Sequence, residues 1–66
     1  MPEEWTTIVA PLPLDAWRAA LAEWRTANDP ESVVGDDDLR IDVIRTTEGD
    51  RVRVRARFAL VAQLPL

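Results

Sequence analysis

From Arg51 to Phe58 the chain reads Arg-Val-Arg-Val-Arg-Ala-Arg-Phe, with arginine at every second position. Successive side chains of a β-strand point to opposite sides of the sheet, so this segment has one guanidinium face and one apolar face. A helical step would scatter the arginines around a cylinder and leave no apolar side to bury. The segment Leu39 to Thr47 alternates in the same way, and Glu48-Gly49 lies between the two, with a glycine able to take positive φ. The pattern predicts a hairpin of Leu39–Thr47 with Asp50–Ala62.

With Glu48 and Gly49 as a two-residue loop, Thr47 faces Asp50, Arg45 faces Val52, Val43 faces Val54, Ile41 faces Ala56 and Leu39 faces Phe58. The other side sets Thr46 against Arg51, Ile44 against Arg53, Asp42 against Arg55 and Arg40 against Arg57. A one-residue slip would put each apolar side chain opposite a polar one. After Arg57 the alternation stops. Phe58-Ala59-Leu60-Val61-Ala62 is apolar on both sides and is expected to carry the strand past the end of its hairpin partner. That surplus needs a neighbour, because an exposed apolar edge invites aggregation.

Upstream, Thr6, Thr7, Ile8 and Val9 are β-branched and suit a short strand over residues 4–10, ended by Pro11-Leu12-Pro13. Leu14, Trp17, Leu21 and Trp24 recur at helical spacing, and alanines surround them, which predicts a helix over residues 14–28. Asn28-Asp29-Pro30 ends it, since the residue before a proline avoids the helical region. Glu31 to Asp38 is a connection, with Val33-Val34 suited to a short strand extension. The expected fold is α+β: a small β-α-β-β domain over residues 1–66, a three-stranded, mainly antiparallel sheet with one helix packed on one face, completed by dimerisation.

Size explains why completion is needed. A chain of 66 residues buries only roughly 60% of its unfolded surface. It has no cysteine for a disulfide and no histidine for a metal, so an efficient core or a partner must supply stability. Trp5, Trp17, Trp24 and Phe58 offer large surfaces for either, with Trp17 and Trp24 assigned to the core and Trp5 to a dimer seam. Nothing approaches the ~20 apolar residues of a membrane span. The acidic start Met1-Pro2-Glu3-Glu4 is unlike a secretion leader, so a cytoplasmic setting is expected.

The candidate binding residues are Arg40, Arg51, Arg53, Arg55 and Arg57. Their planar donors suit phosphate or carboxylate, and sheet faces of this kind read nucleic acid. Against that, the net charge is −4, which repels polyanions at long range. The pattern also shows no aromatic among the arginines to stack on bases. The alternative is a solvated face whose guanidiniums pair with Asp42, Glu48, Asp50 or acids of a second copy. All eight basic residues are arginine, which GC-rich coding of a bacterial or phage kind would also produce. Asp36-Asp37-Asp38 offers oxygen ligands for a divalent ion, but Gly35 precedes the run and the calcium-loop spacing is not met. A solvated loop, or contact with the arginines of a second copy, is the other use of these acids.

Enzyme chemistry is poorly supplied. Histidine, cysteine, lysine and tyrosine are absent, Ser32 is the lone serine, and two glycines make no phosphate loop. The expectation is therefore a non-catalytic interaction or adaptor module, without cofactor or metal, acting as a homodimer with a protein partner. Nucleic-acid binding by the arginine face is the alternative.

Overall fold

The computed structural model describes residues 4–64. Its elements are strand β1 (Trp5–Pro13), helix α1 (Trp17–Asn28), a 3-10 turn (Asp36–Asp38), strand β2 (Leu39–Thr46), strand β3 (Gly49–Arg57) and a short helix α2 (Phe58–Val61). Met1–Glu3, most of the acidic start read above as unlike a secretion leader, and the last two residues lie outside the described residues. The sheet is three-stranded in the order β1-β3-β2, and both pairings are antiparallel. No described helix is long and apolar enough to cross a membrane.

The strand that alternates most strictly occupies the centre. Val52, Val54 and Ala56 of β3 are 2%, 0% and 0% exposed, while the arginines between them are half-buried. Those long side chains lay their apolar stems along neighbouring strands while the charged heads stay near solvent.

The hairpin forms in a register two residues away from the expected one. Thr46 faces Gly49, Arg45 faces Asp50, Val43 faces Val52, Ile41 faces Val54, Arg40 faces Arg55 and Leu39 faces Ala56. The cause is the turn. Thr47 and Glu48 make the corner without positive φ, and Gly49, at φ 117°, follows it. The glycine sits after the corner and not within it, and there takes a positive φ that other residues rarely adopt. The Thr46 hydroxyl secures it, donating to the Gly49 carbonyl (2.6 Å) and accepting from the Glu48 N–H (3.2 Å). An even shift preserves parity, so each residue stays on its expected face.

The outer segments depart further. β1 does not stop at residue 10 but runs through Pro11 and Pro13. It is an edge strand, where a missing N–H costs no ladder bond. Its register with β3 is irregular between Thr7 and Val9 and again between Val9 and Leu12. Val9 and Leu12, three apart, would lie on opposite faces of a regular strand. The bulge lets them face Val54 and Val52 together.

Helix α1 begins at Trp17, not residue 14. Leu14–Ala16 form a turn held by the Ala16 N–H on the Pro13 carbonyl (3.0 Å), and Leu14 is 57% exposed. At the other end, β3 stops at Arg57 and Phe58–Val61 coil into α2, so the strand does not reach Ala62. Both neighbours end there: Trp5 is opposite Arg57 and Leu39 opposite Ala56. The Phe58 N–H makes one last cross-strand bond, to the Glu4 carbonyl (3.0 Å), and beyond it the surplus apolar residues satisfy their backbone groups locally. The Ala62 N–H bonds the Phe58 carbonyl at 2.8 Å.

The core is thin. Its fully buried hydrophobic residues are Val9, Val34, Val52, Val54 and Ala56. Ile8, Leu12, Trp17, Ala20, Leu21 and Leu39 pack around Val9, Val52 and Val54. Trp24 is half-buried and outside that cluster. Val33-Val34 adds no strand: Val34 is fully buried in a loop and Val33 is 49% exposed. The loop is pinned by Asp29, itself 2% exposed. Its carboxylate accepts the N–H groups of Val33 (2.7 Å) and Val34 (3.0 Å). Arg25 closes the knot, with Nη1 donating to the Val34 carbonyl at 2.8 Å and lying 3.6 Å from Asp29 Oδ2.

Candidate interaction surfaces

Two surfaces follow from the parity of β3. One carries arginine and lies opposite α1. The other is apolar and is only partly covered by α1.

On the first, Arg51, Arg53, Arg55 and Arg57 project from the central strand and Arg40 from β2. The expected opposition of Arg40 to Arg57 is replaced by Arg40 opposite Arg55. Asp42 faces Arg53 in register and binds the guanidiniums of Arg53 and of its diagonal neighbour Arg55. Arg55 grips it in a fork, Nε to Oδ2 at 2.7 Å and Nη2 to Oδ1 at 3.1 Å. Arg53 adds two bonds to Oδ2 at 3.3 Å. The hydrogen bond from Arg55, helped by the charges of Arg55 and Arg53, holds the Asp42 carboxyl below its ordinary 3.8 despite the desolvation that opposes it. Arg51 reaches Glu48 at 3.6 Å, and Arg57 Nε lies 3.0 Å from Asp38 Oδ1. Asp50 faces Arg45 instead of joining this row.

The acidic turn is thereby divided. Asp38 extends the even-numbered side of β2 and pairs with Arg57 of its own chain. Asp36 is fully exposed, 3.5 Å from Arg25. Among the described residues no three acids converge to hold a metal ion.

One aromatic does lie among the arginines, contrary to the expectation from the hairpin alone. Trp5 pairs with Arg57 across β1 and β3. The Arg40 guanidinium stands 4.4 Å from its ring centroid and that of Arg57 5.3 Å, both within cation–π range. Trp5 is thus part of the arginine face; the hairpin sequence holds no sign of this, because it depends on which strand takes β3's second edge.

On the opposite face, α1 packs mainly on β1 and less on β3, with Leu39 of β2 at the margin of the same cluster. Ile41 and Val43 remain 53% and 59% exposed. Beside them runs an open groove of about 580 Å³, with Trp17, Leu21 and Ala22 as one wall and Leu39 and Ile41 as the other. Arg18, Arg25 and Asp36 stand at its margins. Phe58, one of the large surfaces offered to core or partner, is 48% exposed.

The chain matches no protein-family model, no curated protein and no solved structure. Its surfaces therefore stand on their own chemistry. Guanidiniums tied to carboxylates suit rigidity more than capture of a free anion, since each tie must be broken to bind one. An exposed aliphatic strip beside a groove suits contact with another apolar surface.

Proposed function

We propose that the protein is a non-catalytic interaction module that works as a homodimer in a cytoplasmic setting. The observation that carries this is the bare apolar side of β2. A helix that covers two strands of three leaves Ile41 and Val43 in water, next to a groove walled by Trp17 and Leu21. A core of small side chains gives such a domain little stability to spare, and burial of these groups against a second copy would add to it. The groove lining supports the non-catalytic part: it presents two arginines and an aspartate but no nucleophile paired with a base.

The test replaces Ile41 and Val43 with aspartate. Both side chains point into water, so the double variant should keep its circular dichroism. It should run as a monomer by light scattering where the wild-type chain runs as a dimer. Equal masses for the two would remove the proposal.

A second reading is favoured by Trp5. An aromatic ring flanked by Arg40 and Arg57 is the chemistry on which unpaired bases stack. Among the described residues, five arginines on this face stand with three carboxylates, Asp38, Asp42 and Glu48, a local positive surplus within that set. The surplus is small, and the reading ranks below the first.

A further inference from the structure

We infer that β2 is the seam of the dimer, pairing antiparallel with β2 of a second copy about a two-fold axis at Ile41. This rests on the homodimer proposed above and specifies its contact.

The two edges of the sheet are not equivalent. β1 is broken by two register irregularities and contains Pro11 and Pro13, which lack N–H donors. Such an edge resists a further strand. β2 has neither defence: Leu39–Thr46 pairs residue for residue with β3, without a bulge or a proline. Its outer side is a regular template for another strand.

Parity and charge then select the register. Apolar faces coincide only when residues of like parity oppose one another, so the axis must pass through a residue. At Arg40 the axis would oppose two guanidiniums, and at Asp42 two carboxylates. At Val43 it would set Ile41 against the partner's Arg45, and at Ile44 it would set Val43 there. An axis at Ile41 has none of these conflicts. Ile41 meets the partner's Ile41, Leu39 meets the partner's Val43, and Arg40 meets the partner's Asp42, each of the last two contacts occurring twice by symmetry.

Directly opposed side chains have Cβ atoms about 5 Å apart, close enough for the aliphatic groups to pack and the charges to attract. Arg40 is exposed on a long stem, and its guanidinium, 4.4 Å from the Trp5 ring in the single chain, would swing outward to the partner's carboxylate. Asp42 Oδ1 accepts a bond from Arg55 at 3.1 Å and, with two lone pairs, retains capacity for another donor. Carried further, the same register brings the acidic turn Asp36–Asp38 towards the partner's Arg45. The product joins two three-stranded sheets into one, with the exposed strips of both β2 strands side by side.

Cysteine crosslinking tests this cleanly, because the chain has no native cysteine. Opposed residues of an antiparallel pair have Cα atoms about 4.5–5.5 Å apart, within disulfide range. Ile41→Cys should form an interchain disulfide under brief mild oxidation, several-fold faster than Val43→Cys. A mixture of Leu39→Cys and Val43→Cys should give the heterodimer. Faster self-crosslinking by Val43→Cys would overturn the register. A wild-type dimer in which no β2 cysteine crosslinks would overturn the seam while leaving the homodimer standing. A wild-type chain that sediments as a monomer would remove both.

Discussion

Asp29→Ala should be the most damaging single polar substitution in this protein. The side chain has no exposure and accepts backbone N–H groups of Val33 and Val34 at 2.7 and 3.0 Å, with Arg25 at 3.6 Å. A hydrogen bond to a charged group contributes about 1.5–3 kcal/mol, and a buried donor left unpaired costs its full desolvation. Two bonds, one of them to a partly exposed N–H, put the loss at about 3–5 kcal/mol. A domain of this size holds only about 3–10 kcal/mol in total. At about 4–8 °C per kcal/mol, the melting temperature should fall by roughly 12–40 °C, up to complete unfolding at room temperature. Asp29→Asn retains one carbonyl acceptor and should lose about half as much. Thermal and urea unfolding followed by tryptophan fluorescence measures both. Asp36→Ala is the control: its carboxylate is fully exposed and its removal should leave the melting temperature essentially unchanged. Stability of Asp29→Ala within about 0.5 kcal/mol of wild type would refute the reasoning that this carboxylate pins the loop under the core.

Two further outcomes concern the arginine face. The Asp42 carboxyl is held below 3.8 in the folded chain, so its contribution is fully present above that value and lost as pH falls through the lowered folded value. The stability gap between wild type and Asp42→Asn should therefore be widest near neutral pH and close below about pH 4, as read from melting temperature against pH. Labelled single-stranded DNA and RNA should show no anisotropy change with the wild-type chain at low salt. Binding that weakens steeply with salt and disappears in Arg53→Glu with Arg55→Glu would transfer the function to this face.

The side of the sheet on which each hairpin residue lies is readable from the sequence alone. A two-residue period assigns Val52, Val54 and Ala56 to one face and the arginines to the other, and an even slip in register leaves that assignment intact. The slip itself is invisible to the pattern. It depends on whether Gly49 occupies the corner or the position after it, and both place the glycine next to Glu48. The fate of Phe58–Ala62 is ambiguous for a related reason. A short apolar run without alternation suits a buried strand or a helical turn equally, and only the ends of β1 and β2 decide between them. The helix was legible in its stripe, but its start was not: Leu14 fits the periodicity and yet belongs to the turn that β1 imposes by running through Pro13.

The residues missed are those whose role depends on distant pairing. Trp5 joins the arginines because β1 takes the free edge of β3. Asp38 could have been found by extending the even-numbered row Asp42, Arg40 one step back. Asp29 carried a weak sign as well, an aspartate before proline at a helix end, where its carboxylate commonly accepts N–H groups further along the loop. The coverage of the sheet by α1, on which the proposed function turns, had no sign in the sequence. It follows from the order β1-β3-β2, which places β2 farthest from a helix tethered to β1 through the short turn Leu14–Ala16.

Sedimentation equilibrium of the wild-type chain from nanomolar to high micromolar concentration bears most directly on the proposed dimer. A seam formed by one short strand lies at the small end of stable interfaces, so the account predicts a reversible monomer–dimer equilibrium with a dissociation constant on the order of micromolar. A single species of monomer mass, well folded across the whole range, would contradict it.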